Sequence, residues 1–406
     1  MHLTDEEKRM LAGDEGEAVQ MAMQILTRLG DVYGAERMVD ISSAHTFMGY
    51  MNLKSSVDLV EKFANLGARF KVLTTSDPIH RPEHYEAWEN FSQPEHFKRN
   101  VISWITAMKK LGAILSGSCI PYFEGNLPRF GQCVSWVESS AISFANSVIG
   151  ARANRTTVGI ELASAITGKV PEFGLLLDEN RAGNALVKLE FKPESLFDYG
   201  TIGYIIGKSF GDKVPVIDGL GQGTTANQLK VMGAAAASRG MVPLYHAIGI
   251  TPEARTKEEA FKGKWPKDEL KIGRREIESA IEEMSTFRGG KIDAVLVGCP
   301  HPLLEEIEEL ARLLNGKRIR RDAKFCLFAS RVTINYARQM GYMDILEDAG
   351  VDVLEGECAL WTPTKSLGWS NIATNSAKFA NILPSDPTYL DVIYTDTKGC
   401  VELATN

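Results

Sequence analysis

The feature that most constrains the fold of this chain is an alternation of two patterns that begins after Asp40. Short apolar runs that end in small or polar residues are separated by longer stretches in which apolar residues recur at helical spacing, as in proteins built on parallel sheets. Several runs are apolar throughout, which is typical of strands covered on both faces. We therefore predict an α/β fold. The predicted strands cover residues 70–75, 113–115, 214–217, 242–250, 292–297, 325–329, 351–354 and 392–394.

The rest of the chain suggests how these elements are divided. Thr4 followed by Glu7 matches a capping box and predicts an N-terminal helix, and residues 15–29 predict a second helix. Residues 251–283 are highly charged and are interpreted as a surface excursion with two helical parts. A chain of 406 residues is too long for one ordinary core. We expect a region 1–290, with the N-terminal helices and the first α/β lobe or lobes, and a second α/β lobe at 291–406.

Charge and hydropathy exclude several classes of partner. The net charge is −7 and the 45 Lys and Arg residues are spread along the chain, so no basic stripe is available to neutralise nucleic-acid phosphates. No apolar stretch reaches the roughly 18 residues that a membrane-spanning helix needs. The first residues are polar and acidic, unlike a secretory signal. We expect a cytoplasmic protein that acts on a small molecule, with no nucleic-acid or membrane partner.

Three of the six cysteines share a local setting, because Cys119, Cys299 and Cys358 each follow a strand-like run. Loops beyond the carboxyl ends of strands line the ligand crevice of open α/β sheets, so three thiolates from distant segments can meet there. Three cysteine ligands would leave one iron of an iron–sulfur cluster open to water or substrate, as Lewis-acid chemistry requires. Structural zinc sites usually show closely spaced cysteine pairs, and this chain has none.

The other cysteines are interpreted as packing thiols. Cys326 lies within an apolar run, Cys400 lies near the C-terminal end, and Cys133 lies where a helix can begin. Most cysteines in proteins are buried and bind no ligand, so this remains the alternative interpretation of Cys119, Cys299 and Cys358 as well.

Six motifs occur along the chain in this order: SCIPY at 118–122, WVESSAISFANSVIGARANR at 136–155, LLLDENR at 175–181, GITPEA at 249–254, VGCPH at 297–301 and ATNSAK at 373–378. In sequence and in order they resemble the aconitase X family. The similarity extends from the first predicted helix to about Pro384. It implies an aconitase-like, multi-lobe α/β architecture with mainly parallel sheets flanked by helices, and an iron–sulfur hydro-lyase (dehydratase) activity.

The resemblance also implies a substrate and a partner. Bacterial members of the family dehydrate cis-3-hydroxy-L-proline to a pyrroline carboxylate, which is the expected reaction, and archaeal members dehydrate mevalonate 5-phosphate, which is the alternative. A small swivelling subunit is implied to supply a serine base. The chain departs from the family pattern at residues 138–140, at Ser118, and at 356–358, where an acidic Asp-Thr-Cys-like sequence is more usual.

Residues within the motifs are candidates for functional roles, and the main ones have a structural alternative. A helix cap is the alternative for Asn375 and Ser376, a hydrogen bond behind Cys299 for His301, and a surface ion pair for the arginines. The candidate metal ligands are Cys119, Cys299 and Cys358. The candidate catalytic residues are Ser376, Asn375, His301 and Glu138. The candidate substrate-binding residues are Ser139, Ser140, Asn146, Arg152, Asn154, Arg155 and Lys378.

A glycine-rich turn at 219–225 follows the predicted strand at 214–217 and allows a function of another class. It matches neither common phosphate-binding motif and is interpreted chiefly as a turn. The alternatives to a dehydratase are therefore a non-catalytic iron–sulfur protein and a nucleotide-binding α/β protein.

Overall fold

The structure is a computed structural model that describes residues 1–47, 54–84, 95–385 and 390–405. It contains mainly parallel sheets flanked by helices, as the sequence predicts. The chain divides into two units. Unit 1 comprises Met1–Asp77, Gln93–Ala182 and Thr251–Glu253. Unit 2 comprises Pro78–Ser92, Gly183–Ile250 and Ala254–Asn406.

Unit 1 is organised around a parallel sheet with the strand order β3-β2-β4, and β1 pairs antiparallel with β5. Its elements are α1 (Asp5–Ala12), α2 (Glu17–Tyr33), β1 (Met38–Asp40), β2 (Ser43–Thr46), α3 (Lys54–Asn65), β3 (Leu73–Ser76), α4 (Glu95–Leu111), β4 (Val134–Trp136), α5 (Ser139–Phe144), a π-helical turn (Ala145–Ile149), α6 (Ile160–Thr167) and β5 (Lys169–Pro171).

The two N-terminal helices follow from local sequence. The Thr4 hydroxyl accepts a hydrogen bond from the Glu7 N–H at 3.3 Å, and the Glu7 carboxylate accepts one from the Thr4 N–H at 2.8 Å. This confirms the predicted capping box. Helix α2 buries one face, which includes Met23 and Leu26, and ends at Gly34, whose φ of 69° is left-handed.

Unit 2 contains two parallel sheets, with the strand orders β12-β11-β10-β13-β14 and β8-β7-β6-β9. Its elements are β6 (Ala185–Leu189), α7 (Leu196–Phe210), β7 (Pro215–Asp218), α8 (Ala226–Gly240), β8 (His246–Ala247), α9 (Lys257–Phe261), β9 (Glu269–Ile272), α10 (Arg274–Met284), β10 (Ala294–Val297), α11 (Leu304–Leu314), β11 (Lys324–Ala329), α12 (Arg331–Gln339), α13 (Tyr342–Ala349), β12 (Asp352–Glu355), β13 (Asn371–Thr374), α14 (Ala377–Ile382), β14 (Asp391–Tyr394) and α15 (Thr397–Thr405).

The core of the β12-β11-β10-β13-β14 sheet explains its apolar strands. Strand β10 is buried along its whole length, and β11 is buried except at Lys324, so both sheet faces are covered. Helix α11 places Ile307, Leu310 and Leu314 against this core at helical spacing. Apolar runs flanked by helices are thus the signal that predicted this sheet correctly.

Three predictions about residues 113–115, 242–250 and 251–283 were wrong or incomplete. Residues 242–250 form a strand only at β8, because Pro243 lacks an N–H donor and Gly249 turns the chain with a φ of 74°. Residues 251–283 are more than a surface excursion, since they include β9, which pairs in parallel with β6 at the edge of the sheet. The predicted strand at 113–115 is reduced to a single bridge between Ile114 and Thr75.

Helices α7 and α8 pack at a distance that only glycine permits. A Cβ atom on Gly203 would lie 2.1 Å from the Met232 carbonyl oxygen, and one on Gly240 would lie 1.9 Å from the Gly207 carbonyl oxygen. This contact fixes the position of α8, which carries Lys230. Across the described ranges of the chain, no helix has the length and apolar character needed to cross a membrane.

Candidate functional site

Two of the candidate ligand cysteines follow strands of the same parallel sheet. Cys299 follows β10 and Cys358 follows β12, and β11 lies between these strands and pairs in parallel with both. Both cysteines therefore lie beyond the carboxyl edge of the sheet, where ligand sites of α/β folds form. Both are partly exposed and neither forms a disulfide.

A hydrogen bond joins the loops that carry these two cysteines. The Nε2 atom of His301 lies 2.8 Å from the carbonyl oxygen of Glu357, and both residues are buried. A carbonyl oxygen can only accept, so Nε2 carries the proton and donates it. His301 is two residues after Cys299 and Glu357 directly precedes Cys358, so the contact fixes the two loops against each other.

The loop of Cys299 has two further anchors. The Nζ atom of Lys230, which is 1% exposed, donates to the His301 carbonyl oxygen at 3.0 Å and to the Glu306 carboxylate at 2.7 Å. The Ser376 hydroxyl donates to the carbonyl oxygen of Cys299. A buried ammonium group is tolerated when it is paired and hydrogen-bonded, as it is here.

A cavity of about 600 Å³ opens beside Cys299 within unit 2. The candidate residues Asn375 and Ser376 also line it. Burial raises the pKa of Glu309 in the cavity wall, and Arg312 opposes that rise. Carboxylates dominate the charge of the wall, and they are Glu194, Glu305, Glu306, Glu309 and Asp396, accompanied by Lys398.

Ser376 and its neighbours have structural partners. Ser376 is the N-cap of α14, where its hydroxyl accepts from the Phe379 N–H at 3.0 Å. The Asn375 side chain donates to the Thr397 hydroxyl at 3.1 Å, and Lys378 is 7% exposed. The cap predicted as the alternative is therefore present, and the catalytic and anion-binding roles of these residues stay predictions.

Glu357 is fully buried, and its carboxylate faces a segment from another part of the chain. The Oε2 atom of Glu357 lies 3.3 Å from the Nδ1 atom of His80, and its Oε1 atom lies 3.3 Å from the Nδ1 atom of His84. The Arg81 N–H also donates to Oε1. Burial lowers the pKa of His84, but the carboxylates of Glu357, Glu83 and Glu355, with Glu357 contributing most, more than offset this effect, so the pKa is raised overall. The carboxylate thus favours the protonated imidazole.

The three remaining thiols are Cys326, Cys400 and Cys133. Cys326 is fully buried in β11, and Cys400 is fully buried in α15 within the same core. Burial raises the pKa of both thiols well above the ordinary value, and it also raises the pKa of Cys133. Burial and the protonated thiol form confirm the prediction that Cys326 and Cys400 are packing residues.

In unit 1, Cys119 lies in a loop beside the carboxyl end of β3. The Ser118 N–H donates to the Ser76 carbonyl oxygen at 3.2 Å, which attaches this loop to the end of the strand. Cys119 is 8% exposed and forms no disulfide. No group of three or more His, Cys, Asp and Glu residues that could hold a metal ion is found among the residues the structure describes. The three-cysteine site therefore stays a prediction.

A buried histidine and aspartate end the neighbouring strands of unit 1. The Nδ1 atom of His45 in β2 lies 2.8 Å from the Thr75 hydroxyl, and its Nε2 atom lies 3.5 Å from the Asp77 carboxylate. Burial lowers the pKa of His45 to about 4, with Glu138 opposing the shift. His45 is therefore neutral at pH 7.

The start of the 136–155 motif forms a capped helix. Glu138 is the N-cap of α5, and its carboxylate accepts from the Ser140 N–H at 3.1 Å and from the Ser140 hydroxyl at 2.7 Å. Ser139 is half-buried. Burial lowers the pKa of Arg155, and the nearby Glu138 carboxylate opposes this shift. Their catalytic and substrate-binding roles stay predictions.

Three other candidate substrate-binding residues bind the protein's own groups. Asn146 bonds both ways to the backbone of Ala153, and Asn154 bonds to the backbone of 173 and 175. Arg152 pairs with Asp178, which is 75% exposed, so the predicted surface ion pair is present. These contacts leave the proposed substrate roles untested.

Comparison with known proteins identifies the chain. Family models described as the first, second and third domains of aconitase X match residues 1–179, 183–282 and 292–406. The chain belongs to the aconitase X family. A solved relative agrees: the crystal structure of Thermococcus kodakaraensis aconitase X (holo-form) is 34% identical, covers 100% of both chains and has a TM-score of 0.88. The predicted aconitase-like fold class is confirmed.

Named relatives of this aconitase X chain fall into two activities. It is 38% identical to the phosphomevalonate dehydratase large subunit of Methanocaldococcus jannaschii, over 95% of this chain and 96% of that protein. It is 32% identical to the cis-3-hydroxy-L-proline dehydratase of Pseudomonas aeruginosa, over 98% of this chain and 69% of that protein. Both are dehydratases, so the predicted enzyme class, a hydro-lyase of the aconitase X type, is confirmed.

Several buried polar residues of this aconitase X chain were not predicted from its sequence. Asp77 directly follows β3 and could have been found by the rule that identified the cysteines. Glu357 adjoins Cys358 in sequence, but nothing local indicates that His80 and His84 face it. Arg181 also became informative only through its contacts: it is fully buried, with its Nε atom 2.9 Å from the Glu253 carboxylate.

Proposed function

We propose that this chain is the catalytic large subunit of an iron–sulfur dehydratase that removes water from a small hydroxylated acid in the cytoplasm. The observation that carries the proposal is the placement of Cys299 and Cys358 on joined loops at one edge of a parallel sheet, with the His301–Glu357 contact between them. A hydro-lyase needs a Lewis acid or a protonated group beside the departing hydroxyl, and such loops supply ligands for the former.

The donor set of this chain fits an iron–sulfur cluster. Cys119, Cys299 and Cys358 would hold it, since all three lie in loops at strand ends and none forms a disulfide. Thiolates are the usual cluster ligands, and three of them leave one iron position for substrate. When bound, the cluster supplies a Lewis acid that assists departure of the substrate hydroxyl. The thiols in the core are unsuitable because burial raises their pKa.

The chain's own polar residues are proposed to bind and orient the substrate. Ser376 and Asn375 line the cavity beside Cys299 and offer hydroxyl and amide groups to an oxygen-rich substrate. His301 is proposed to act mainly by holding the Cys299 loop, because its Nε2 proton is given to the Glu357 carbonyl. In unit 1, Glu138 and Arg155 are the proposed proton-transfer and carboxylate-binding groups, supported by their electrostatic coupling.

A small partner subunit is part of the proposal. Relatives from Methanocaldococcus jannaschii, Methanothermobacter thermautotrophicus and Thermococcus kodakarensis, 36–38% identical, are named large subunits. The partner is proposed to supply the serine base that takes the substrate proton. The isolated chain is then expected to be nearly inactive and to gain activity with the small subunit.

The proposed substrate is cis-3-hydroxy-L-proline. Its ring nitrogen is cationic at neutral pH, which suits a cavity beside Cys299 with five carboxylates in its wall. A phosphorylated substrate would need several cationic donors. Two of the cations in the motifs, Arg152 and Arg181, already face the carboxylates of Asp178 and Glu253.

Mevalonate 5-phosphate is the second candidate, and a specific observation favours it. Identity is higher to phosphomevalonate dehydratase large subunits, at 38%, than to the Pseudomonas hydroxyproline enzyme, at 32%, and the chain spans 96% of the former against 69% of the latter.

The test is to co-express the chain with its small subunit, reconstitute the cluster anaerobically, and offer both compounds. Dehydration of cis-3-hydroxy-L-proline is expected. Turnover of mevalonate 5-phosphate alone would replace the substrate and leave the class standing. Iron uptake without turnover of either compound would reject both substrates, and absence of iron would reject the cluster.

A further inference from the structure

The buried carboxylate of Glu357 has a role that the proposed chemistry does not include. We propose that Glu357 is a positioning residue, which fixes the backbone before Cys358 through its side chain and joins it to the Cys299 loop through its carbonyl group. This inference rests on the proposed function, because it concerns how the chain holds cluster ligands.

The side chain of Glu357 attaches its loop to the segment 79–84. The Ile79 N–H donates to the Gly356 carbonyl oxygen at 2.8 Å, and the Arg81 N–H, two residues later, donates to the Glu357 carboxylate. One contact holds the backbone of residue 356 and the other holds the side chain of residue 357. The loop that leads to Cys358 is therefore braced by a segment far away in sequence.

Charge makes this attachment stronger than backbone contacts alone. The Glu357 carboxylate is fully buried, and two imidazoles, those of His80 and His84, lie 3.3 Å from its two oxygens. A buried negative charge is stable only while its partners remain in place. Movement of the loop would separate the Glu357 carboxylate from these imidazoles, which is unfavourable, so the attraction between them holds the residue next to Cys358 in place.

The backbone of Glu357 extends the same support to the second cysteine loop. Its carbonyl oxygen accepts the His301 Nε2 proton at 2.8 Å, and the His301 carbonyl oxygen in turn accepts from buried Lys230 at 3.0 Å. One residue thus sets the position of Cys358 directly and that of Cys299 through His301.

The test replaces Glu357 by glutamine, which keeps its shape and an acceptor for the Arg81 N–H but removes the charge. The matched control is Glu355→Gln, two residues earlier, where the carboxylate pairs with Arg331 at 2.9 Å and is 35% exposed. Each variant is purified with the co-expressed small subunit and reconstituted anaerobically. Iron per chain, the visible absorption spectrum and the rate of iron removal by a chelator are then measured.

Glu357→Gln is expected to change the visible spectrum and to release iron at least about tenfold faster than the wild type, which corresponds to 1.4 kcal/mol at 25 °C, while Glu355→Gln behaves as wild type. His84→Gln removes one partner at a side chain that is 23% exposed, and it is expected to give an intermediate rate even if Glu357→Gln does not fold. Equal spectra and equal release rates in all variants would overturn the positioning role and leave the proposed function intact. A wild-type chain that binds no iron would overturn both.

Discussion

Among the described residues, each unit contains one glutamate that is completely buried, and the two have opposite surroundings. Glu161 in unit 1 lies in the first turn of α6, and neither carboxylate oxygen has a hydrogen-bond partner among the described residues. Burial raises the pKa of Glu161 to about 8, although nearby backbone N–H groups oppose the shift. Glu357 in unit 2 instead faces two imidazoles and a backbone N–H.

The difference shows which buried ionisable groups the fold supplies with partners. Removing a carboxylate from water is unfavourable, so an unpartnered one takes up a proton, whereas a partnered one keeps its charge. In unit 2 the partnered charges, Glu357 and Lys230, both contact the loops that carry candidate cysteines. Buried charge that is held in this way is typical of a functional site.

The largest effect is expected from removing the partnered carboxylate. Glu357→Met should leave the buried imidazole of His80 and the partly exposed imidazole of His84 without their anion, and destabilise unit 2 by about 3 kcal/mol, as the loss of one member of a buried pair does. The midpoint of urea unfolding, followed by tryptophan fluorescence at pH 7, measures it. Glu355→Met is the control, and its exposed pair with Arg331 predicts a loss below about 1 kcal/mol. Equal midpoints for the two variants would contradict the comparison.

Replacing Glu161, the glutamate without a hydrogen-bond partner among the described residues, is expected to stabilise the protein rather than destabilise it. The folded pKa of Glu161, about 8, is raised above its ordinary value of 4.5, so its contribution to stability is present below pH 4.5 and is lost as pH rises toward 8. Glu161→Gln removes this dependence. The variant should match the wild type near pH 4.5 and become progressively more stable than the wild type as the pH rises to 8. Parallel curves of unfolding midpoint against pH would show that the carboxyl group is not protonated in the fold.

The smallest effect concerns the partly exposed partner of Glu357. The pKa of His84 is raised in the folded chain, so the stability from its protonated form is fully present below its unfolded pKa of 6.5 and is lost as pH rises through the raised value. The stability difference between wild type and His84→Gln should therefore shrink between pH 6 and pH 9. Thermal melts across this range measure it, and a difference that grows with pH would refute the assignment.

Sequence reasoning found the features that are encoded locally. The apolar runs located β10, β11 and β12, and the position of Cys299 and Cys358 after such runs placed both at the carboxyl edge of their sheet. The capping pair Thr4 and Glu7 was equally local.

The parts that sequence reasoning missed depend on contacts between distant residues. The Arg81 N–H and the Glu357 carboxylate are 276 positions apart, and no periodicity relates them. Asn146 and Arg152 are predicted substrate ligands because of their polar groups, and their contacts with Ala153 and Asp178 could not be foreseen from the sequence; the substrate roles stay predictions. Polarity indicates a need for partners and does not say which partners the fold provides.

The central claim is that Cys119, Cys299 and Cys358 hold an iron–sulfur cluster, and iron content tests it most directly. Each cysteine is changed to serine, with Cys326→Ser as the control from the sheet core. After anaerobic reconstitution with the small subunit, iron per chain and visible absorption are measured. The account predicts that each of the three changes abolishes or strongly reduces both signals, while Cys326→Ser retains them. Wild-type iron content in Cys299→Ser or Cys358→Ser would contradict it.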